Sequence, residues 1–161
     1  MEGNYPTFLR IEFLPGKILV GQKIQTSFAN NQTALLWSGF MPKRKTIINP
    51  VSNDLYAVQI YPNGMPAGPA ELFVKWATLE VRTEEYVPEG MEVLRLPPGN
   101  YAVFLHKGSA ATGPEAFRYI FTEWLPASGH TIDDRPHFEI LGAAYKNDDP
   151  QSEEEIWIPV K

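Results

Sequence analysis

One pattern recurs along this chain at a nearly constant offset, and it limits the fold more than any single motif. Leu14-Pro15 and Leu96-Pro97 lie 82 residues apart, Val20 and Val103 lie 83 apart, and Phe40-Met41-Pro42 and Trp124-Leu125-Pro126 lie 84 apart. The elements between these landmarks repeat as well. Residues 8–13 alternate like a strand and stop at Leu14-Pro15-Gly16, a turn signal. Residues 17–28 resume as a second strand, which predicts a hairpin. A polar stretch then offers N-cap residues to a helix carrying Leu35, Leu36, Trp37, Phe40 and Met41, closed by Pro42. Strands follow at 55–61 and 71–82.

After a linker at 83–90, the same order returns. Strands at 91–96 and 101–107 flank Pro97-Pro98-Gly99 as a second expected hairpin. A helix opens at Pro114, where a missing N–H is harmless, carries Phe117, Ile120, Phe121, Trp124 and Leu125, and ends at Pro126. Strands at 137–142 and 153–160 complete it. The chain thus reads as a duplicated ββαββ unit, with repeats over about 7–82 and 91–161 in one domain spanning 1–161. Two such units cannot easily bury their sheet faces separately. Pairing them about a pseudo-twofold axis predicts an α+β fold, with a curved antiparallel sheet, two main helices and a central pocket.

Composition removes several classes of function. A formal net charge of −5 argues against a nucleic-acid surface, and the one basic run, Lys43-Arg44-Lys45, follows the first helix, where cations suit its dipole. There is no cysteine, hence no disulfide framework and no thiolate nucleophile. His106, His130 and His137 show no metal-ligand spacing, so neither metal nor cofactor is expected. No apolar stretch approaches a membrane span, and residues 1–6 lack the pattern of a leader. A cytoplasmic protein is the expectation.

The final strand holds the first candidate site. Ile156, Ile158 and Val160 share one face, while Glu155, Trp157 and Pro159 share the other. A carboxylate beside a large ring either faces water or lines a cavity, and alternation alone leaves both open.

Residues 101–108, 119–126, Phe138-Glu139-Ile140 and Glu155-Ile156-Trp157-Ile158-Pro159-Val160 resemble the GyrI-like small-molecule-binding family, the effector-binding domain of AraC-type and MerR-type bacterial regulators. The first half resembles it more loosely, through Leu36-Trp37, residues 54–58 and residues 77–81, with Thr78 where the family often has Gly. The resemblance implies SHS2-like halves around a pocket for hydrophobic, often cationic compounds, with aromatic walls and a buried glutamate. Carried over by motif, the glutamates fall on Glu155 and Glu139, and the aromatics on Trp157, Tyr56, Trp37, Trp76 and Tyr119. No helix-turn-helix is expected, which implies a stand-alone member that does not itself bind DNA.

Glu139 and Glu155 fall on consecutive strands. If Phe138 and Ile140 join Ile156 and Ile158 under the helices, both carboxylates turn to the other face beside Trp157. Two carboxylates in an aromatic crevice raise each other's pKa and suit a lipophilic cation. The resemblance then leaves three functions open: a drug- or toxin-binding protein, a hydrolase of electrophilic cyclopropanoid toxins using Glu155 or Glu139 as base, or a protein inhibitor of DNA gyrase.

Overall fold

Among the described residues eight strands form one antiparallel sheet. The computed structural model of the protein describes residues 5–161, and Met1–Asn4, within the stretch read above for a leader pattern, lie outside them. In chain order the elements are β1 (Thr7–Leu14), β2 (Lys17–Thr26), α1 (Thr33–Phe40), β3 (Pro50–Ile60) and β4 (Phe73–Val81), then β5 (Glu92–Leu96), β6 (Gly99–Lys107), α2 (Gly113–Tyr119), α3 (Leu125–Ser128), β7 (His137–Leu141) and β8 (Glu153–Pro159). This is the ββαββ unit twice over.

The strand order is β1-β6-β8-β7-β3-β4-β2-β5. Exchanging each strand for its counterpart in the other repeat returns the same order read backwards. The pseudo-twofold axis therefore passes between β3 and β7, which pair with Ala57 opposite Glu139.

The two expected hairpins do not form. β1 pairs with β6 and β2 with β5, so each repeat lends its outer strand to the other. The links explain this. A two-residue hairpin needs positive φ at its first central residue or at both. Pro15 is held near −65° and only Gly16 turns positive (φ 111), while Pro97-Pro98 supplies no such residue. Both links splay their strands apart.

The same links curl the sheet. β1 and β2 stand six places apart in the order, about 29 Å in a flat sheet. Leu14 and Lys17 are joined by only two residues, a reach of about 11 Å. β5 and β6 repeat the situation, so the sheet must wrap most of the way towards a barrel.

Curling buries the inner face without a helix. Leu14, Leu19, Tyr56, Val58, Trp76, Leu96, Tyr101, Val103, Phe138 and Trp157 fill it. On the outer face, Leu36 and Phe40 of α1 pack on Val20, Ala77, Leu79 and Val81. Ala116 and Ile120 pack on Ala102, Phe104, Ile156 and Ile158. The second helical segment does not stop at Pro126 as expected. A π turn (Ile120–Trp124) leads into α3, whose first turn accepts the proline, and Gly129 (φ 78) closes it. Among the described residues no helix is long and apolar enough to cross a membrane.

Candidate functional site

The outer face has a seam. α1 lies over β2 and β4, and the second helical segment lies over β6 and β8. The two central strands, β3 and β7, run between the helices at the pseudo-twofold axis. The row across this seam reads Ala77, Ala57, Glu139, Ile156 and Phe104. Two alanines stand beside Glu139 in this row, so the seam between the helical segments is the candidate groove, with a carboxylate at its centre.

Polar side chains gather round that carboxylate. Gln59 donates from Nε2 to Glu139 Oε1 at 3.0 Å. On one side Lys75 reaches Thr33, the first residue of α1, with Nζ 2.8 Å from its hydroxyl. On the other, Glu154 Oε1 lies 3.0 Å from His106 Nδ1, and His106 Nε2 lies 2.9 Å from the Thr112 hydroxyl just before α2. The start of each helix is thus tied to the strand beneath it. One end of the groove is aromatic: Phe28, Phe73 and Tyr61 cluster with centroids 4.8–6.4 Å apart, Tyr61 meets His137 edge-on at 5.0 Å, and Phe121 lies 5.8 Å from His137.

The electrostatics single out Glu139. Burial pushes its carboxyl well above the usual range, and Glu154 pushes the same way while Lys75 and Gln59 pull it back. Burial also raises Glu154. We read the two carboxylates as sharing a proton held mainly by Glu139, whose partner is then free to accept from it. Burial lowers Lys75, against the pull of Glu139 and Glu154, and lowers His106. Tyr145, near both carboxylates, is raised to about 12, chiefly by burial. Among the described residues no group of three or more acidic or histidine side chains is placed to hold a metal ion.

The sequence-derived candidates divide between the two faces. Phe138 and Ile140 stand opposite Trp157 and Glu155 and share their inner face, so Glu139 turns outward to the helices, away from Glu155. The expectation that both glutamates share one crevice is corrected by this register. Trp157 stacks on Phe138 at 5.1 Å inside the curl, where Tyr56 and Trp76 also lie. Glu155 sits at the rim of the curl: it accepts from Trp157 Nε1 at 3.0 Å and lies 3.8 Å from Arg10. Trp37 meets Phe40 edge-on in the α1 core, and Tyr119 stacks on Tyr5 at 4.6 Å beside the other. These two belong to packing.

Lys75, Gln59, Glu154, His106 and His137, which gather round Glu139, are not singled out by the sequence. A signal existed for Lys75, a lone cation in the row Phe73, Lys75, Ala77, Leu79 that otherwise faces the helices. Two surface hollows, one beside Lys23 and Glu92 and one beside Lys17 and Arg95, are not lined by Glu139 and are edged by ion pairs, of which Lys17–Glu80 is half-buried.

Comparison with known proteins places the chain. It is 31% identical over 156 residues to the transcriptional regulator BrlR of Pseudomonas aeruginosa, covering 94% of this chain and 54% of that protein. It is 35% identical over 107 residues to a DNA gyrase inhibitor of Erwinia billingiae, covering 63% of this chain and 66% of that one. The chain therefore spans about half to two thirds of these relatives' lengths. The fold matches the solved structure of SAV2435 bound to tetraphenylphosphonium, with a TM-score of 0.66 at 17% identity, covering 94% and 93% of the two chains. The model of the GyrI-like small molecule binding domain matches residues 7–161, and the chain belongs to that family.

Proposed function

We propose that the groove between the helical segments binds a lipophilic cation, with Glu139 as the opposing charge. The observation that carries this reading is a carboxylate on a small-residue floor at the pseudo-twofold axis, held away from its charged form by burial and by Glu154. A cationic guest favours the ionised carboxylate and gains from it. The aromatic end formed by Tyr61, His137 and Phe121 offers apolar area and ring faces to the same guest. Kinship with a regulator supports an effector-binding role, and the phosphonium bound by SAV2435 supports the class of guest.

Titration calorimetry with tetraphenylphosphonium, rhodamine 6G and neutral analogues of similar size tests it. Saturable binding of the cations, weakened about tenfold or more by Glu139→Gln, is the expected result, since tenfold corresponds to roughly 1.4 kcal/mol. Failure of every cation to bind would sink the reading. Chemical turnover of an electrophilic guest, lost in Glu139→Gln, would move it to a hydrolase.

A further inference from the structure

Two buried acceptors beside Glu139 narrow the class of guest, provided that the groove binds cations as proposed. His137 is 1% exposed and Gln59 is 3% exposed. They are direct cross-strand partners on the groove face, one step along from the Ala57–Glu139 pair. His137 Nε2 lies 2.7 Å from the carbonyl oxygen of Gly64. A carbonyl only accepts, so Nε2 carries the proton and Nδ1 of the neutral ring presents a lone pair. Gln59 spends its amide N–H on Glu139, which leaves Oε1 as an acceptor. Neither His137 Nδ1 nor Gln59 Oε1 has a hydrogen-bond partner among the described residues.

Together with Glu139 they make three acceptors at the floor of the seam beside the aromatic cluster, the two unpartnered ones enclosed just below its surface. A buried acceptor without a donor has lost its hydration and gained nothing in exchange. A quaternary cation offers nothing to these atoms, because its charge is wrapped in carbon. A protonated amine brings charge to Glu139 and N–H donors to the acceptors beside it.

We propose that the groove selects cations that carry N–H donors, namely protonated primary or secondary amines and amidines attached to an aromatic body, over quaternary ammonium or phosphonium ions of equal size. Bulky aromatic amines are therefore its preferred guests, and a donor from the guest completes the hydrogen bonding of Gln59 and His137. This selectivity rests on the cation-binding role proposed for the groove.

The test is a matched pair on the full chain: an aryl-alkyl primary amine and its N-trimethylated analogue, titrated calorimetrically at a pH where the amine is charged. The amine is expected to bind at least about tenfold more tightly. In Gln59→Leu and in His137→Phe, each checked for a native melting transition, the ratio of the two affinities is expected to fall towards one. Equal affinities in the unaltered protein, or tighter binding of the quaternary member, overturn the selectivity while leaving cation binding intact. An unchanged ratio in both folded variants overturns the assignment of the acceptors. If neither cation binds, the underlying reading fails instead, so the two failures are distinguishable.

Discussion

Lys75 and Glu154 occupy equivalent positions in the two repeats and carry opposite charge. Ala57 pairs with Ala77 as Glu139 pairs with Ile156, so the residues two places before each, Lys75 and Glu154, correspond across the pseudo-twofold axis. Both act on the one carboxylate beside that axis, Lys75 favouring its charge and Glu154 opposing it. The symmetry supplies the geometry, and its breaking sets two carboxyl groups against one ammonium group.

Replacing Lys75 with Met should therefore cost stability in a pH-dependent way. At low pH Glu139 is neutral and needs no cation. As pH rises, ionising it without Lys75 becomes harder, and the cost grows to about 1 kcal/mol, the scale of a charge pair that is not directly hydrogen-bonded. Urea titrations at pH 5 and pH 8 check this. The pH-dependent part of the loss should vanish when Glu139→Gln is also present.

Glu139 itself should make the empty protein less stable in alkali. Its folded pKa stands above the unfolded value, so the folded state holds the proton that the unfolded state releases. The contribution is complete below about pH 4 and falls as pH rises through the folded pKa. Melting temperatures measured upward from about pH 7, above the window in which His137 titrates, should drift down in the unaltered protein and drift less in Glu139→Gln. A steeper decline in the variant would contradict the assignment.

Removing the other candidate carboxylate separates the two faces. Glu155 is tied to Trp157 and Arg10 at the rim of the curl, on the side away from the groove. Glu155→Gln should leave the affinity for a lipophilic cation within about twofold, a difference under about 0.5 kcal/mol. Glu139→Gln should reduce it at least tenfold by the same measure. The reverse ranking in calorimetry would relocate the site to the inner face.

The repeat made the element order and the two helices legible, because proline landmarks and aromatic spacing are local signals. Strand exchange was not, since it depends on which φ angles Pro15 and Pro97-Pro98 permit. The direction of Glu139 was lost for a related reason. Both faces of β7 and β8 are buried, so alternation shows which residues share a side without saying which side holds the helices. The match between Val20 and Val103 misled in the same way. Val20 lies under α1, Val103 lies inside the curl, and the true counterpart of Val20 is Ala102.

His137 should sensitise the fold to acid. Burial is the main cause that lowers its pKa to about 4, against an ordinary value of 6.5. The unfolded chain takes up a proton as pH falls below 6.5, while the folded ring stays neutral until about pH 4. Stability is thus intact above that window and lost within it, by about 3 kcal/mol for a shift of this size. His137→Phe should flatten this part of the curve between pH 7 and pH 4, measured by chemical unfolding at each pH.

Gly21 fixes the approach of β2 to β4, and through it the position of Lys75. It stands opposite Thr78, and a Cβ placed on it would overlap the carbonyl oxygen of Ala77 and lie 2.8 Å from the Thr78 Cα. Both obstacles are backbone, so no rotamer change relieves them. The Thr78 hydroxyl, bonded to the Tyr56 carbonyl at 3.0 Å, ties the same point to β3. Gly21→Ala must therefore open the β2–β4 ladder or shift β4 against β3, which carries Ala77 and Lys75 away from Glu139. The expected loss exceeds about 3 kcal/mol, placing it among the severe single substitutions. Val103, the counterpart of Gly21 in the second repeat, should tolerate Val103→Ala with a smaller loss of roughly 1–3 kcal/mol from the inner core. Unfolding titrations of the two variants side by side check the contrast. An equal or smaller loss at Gly21 would show that β2 has room to move.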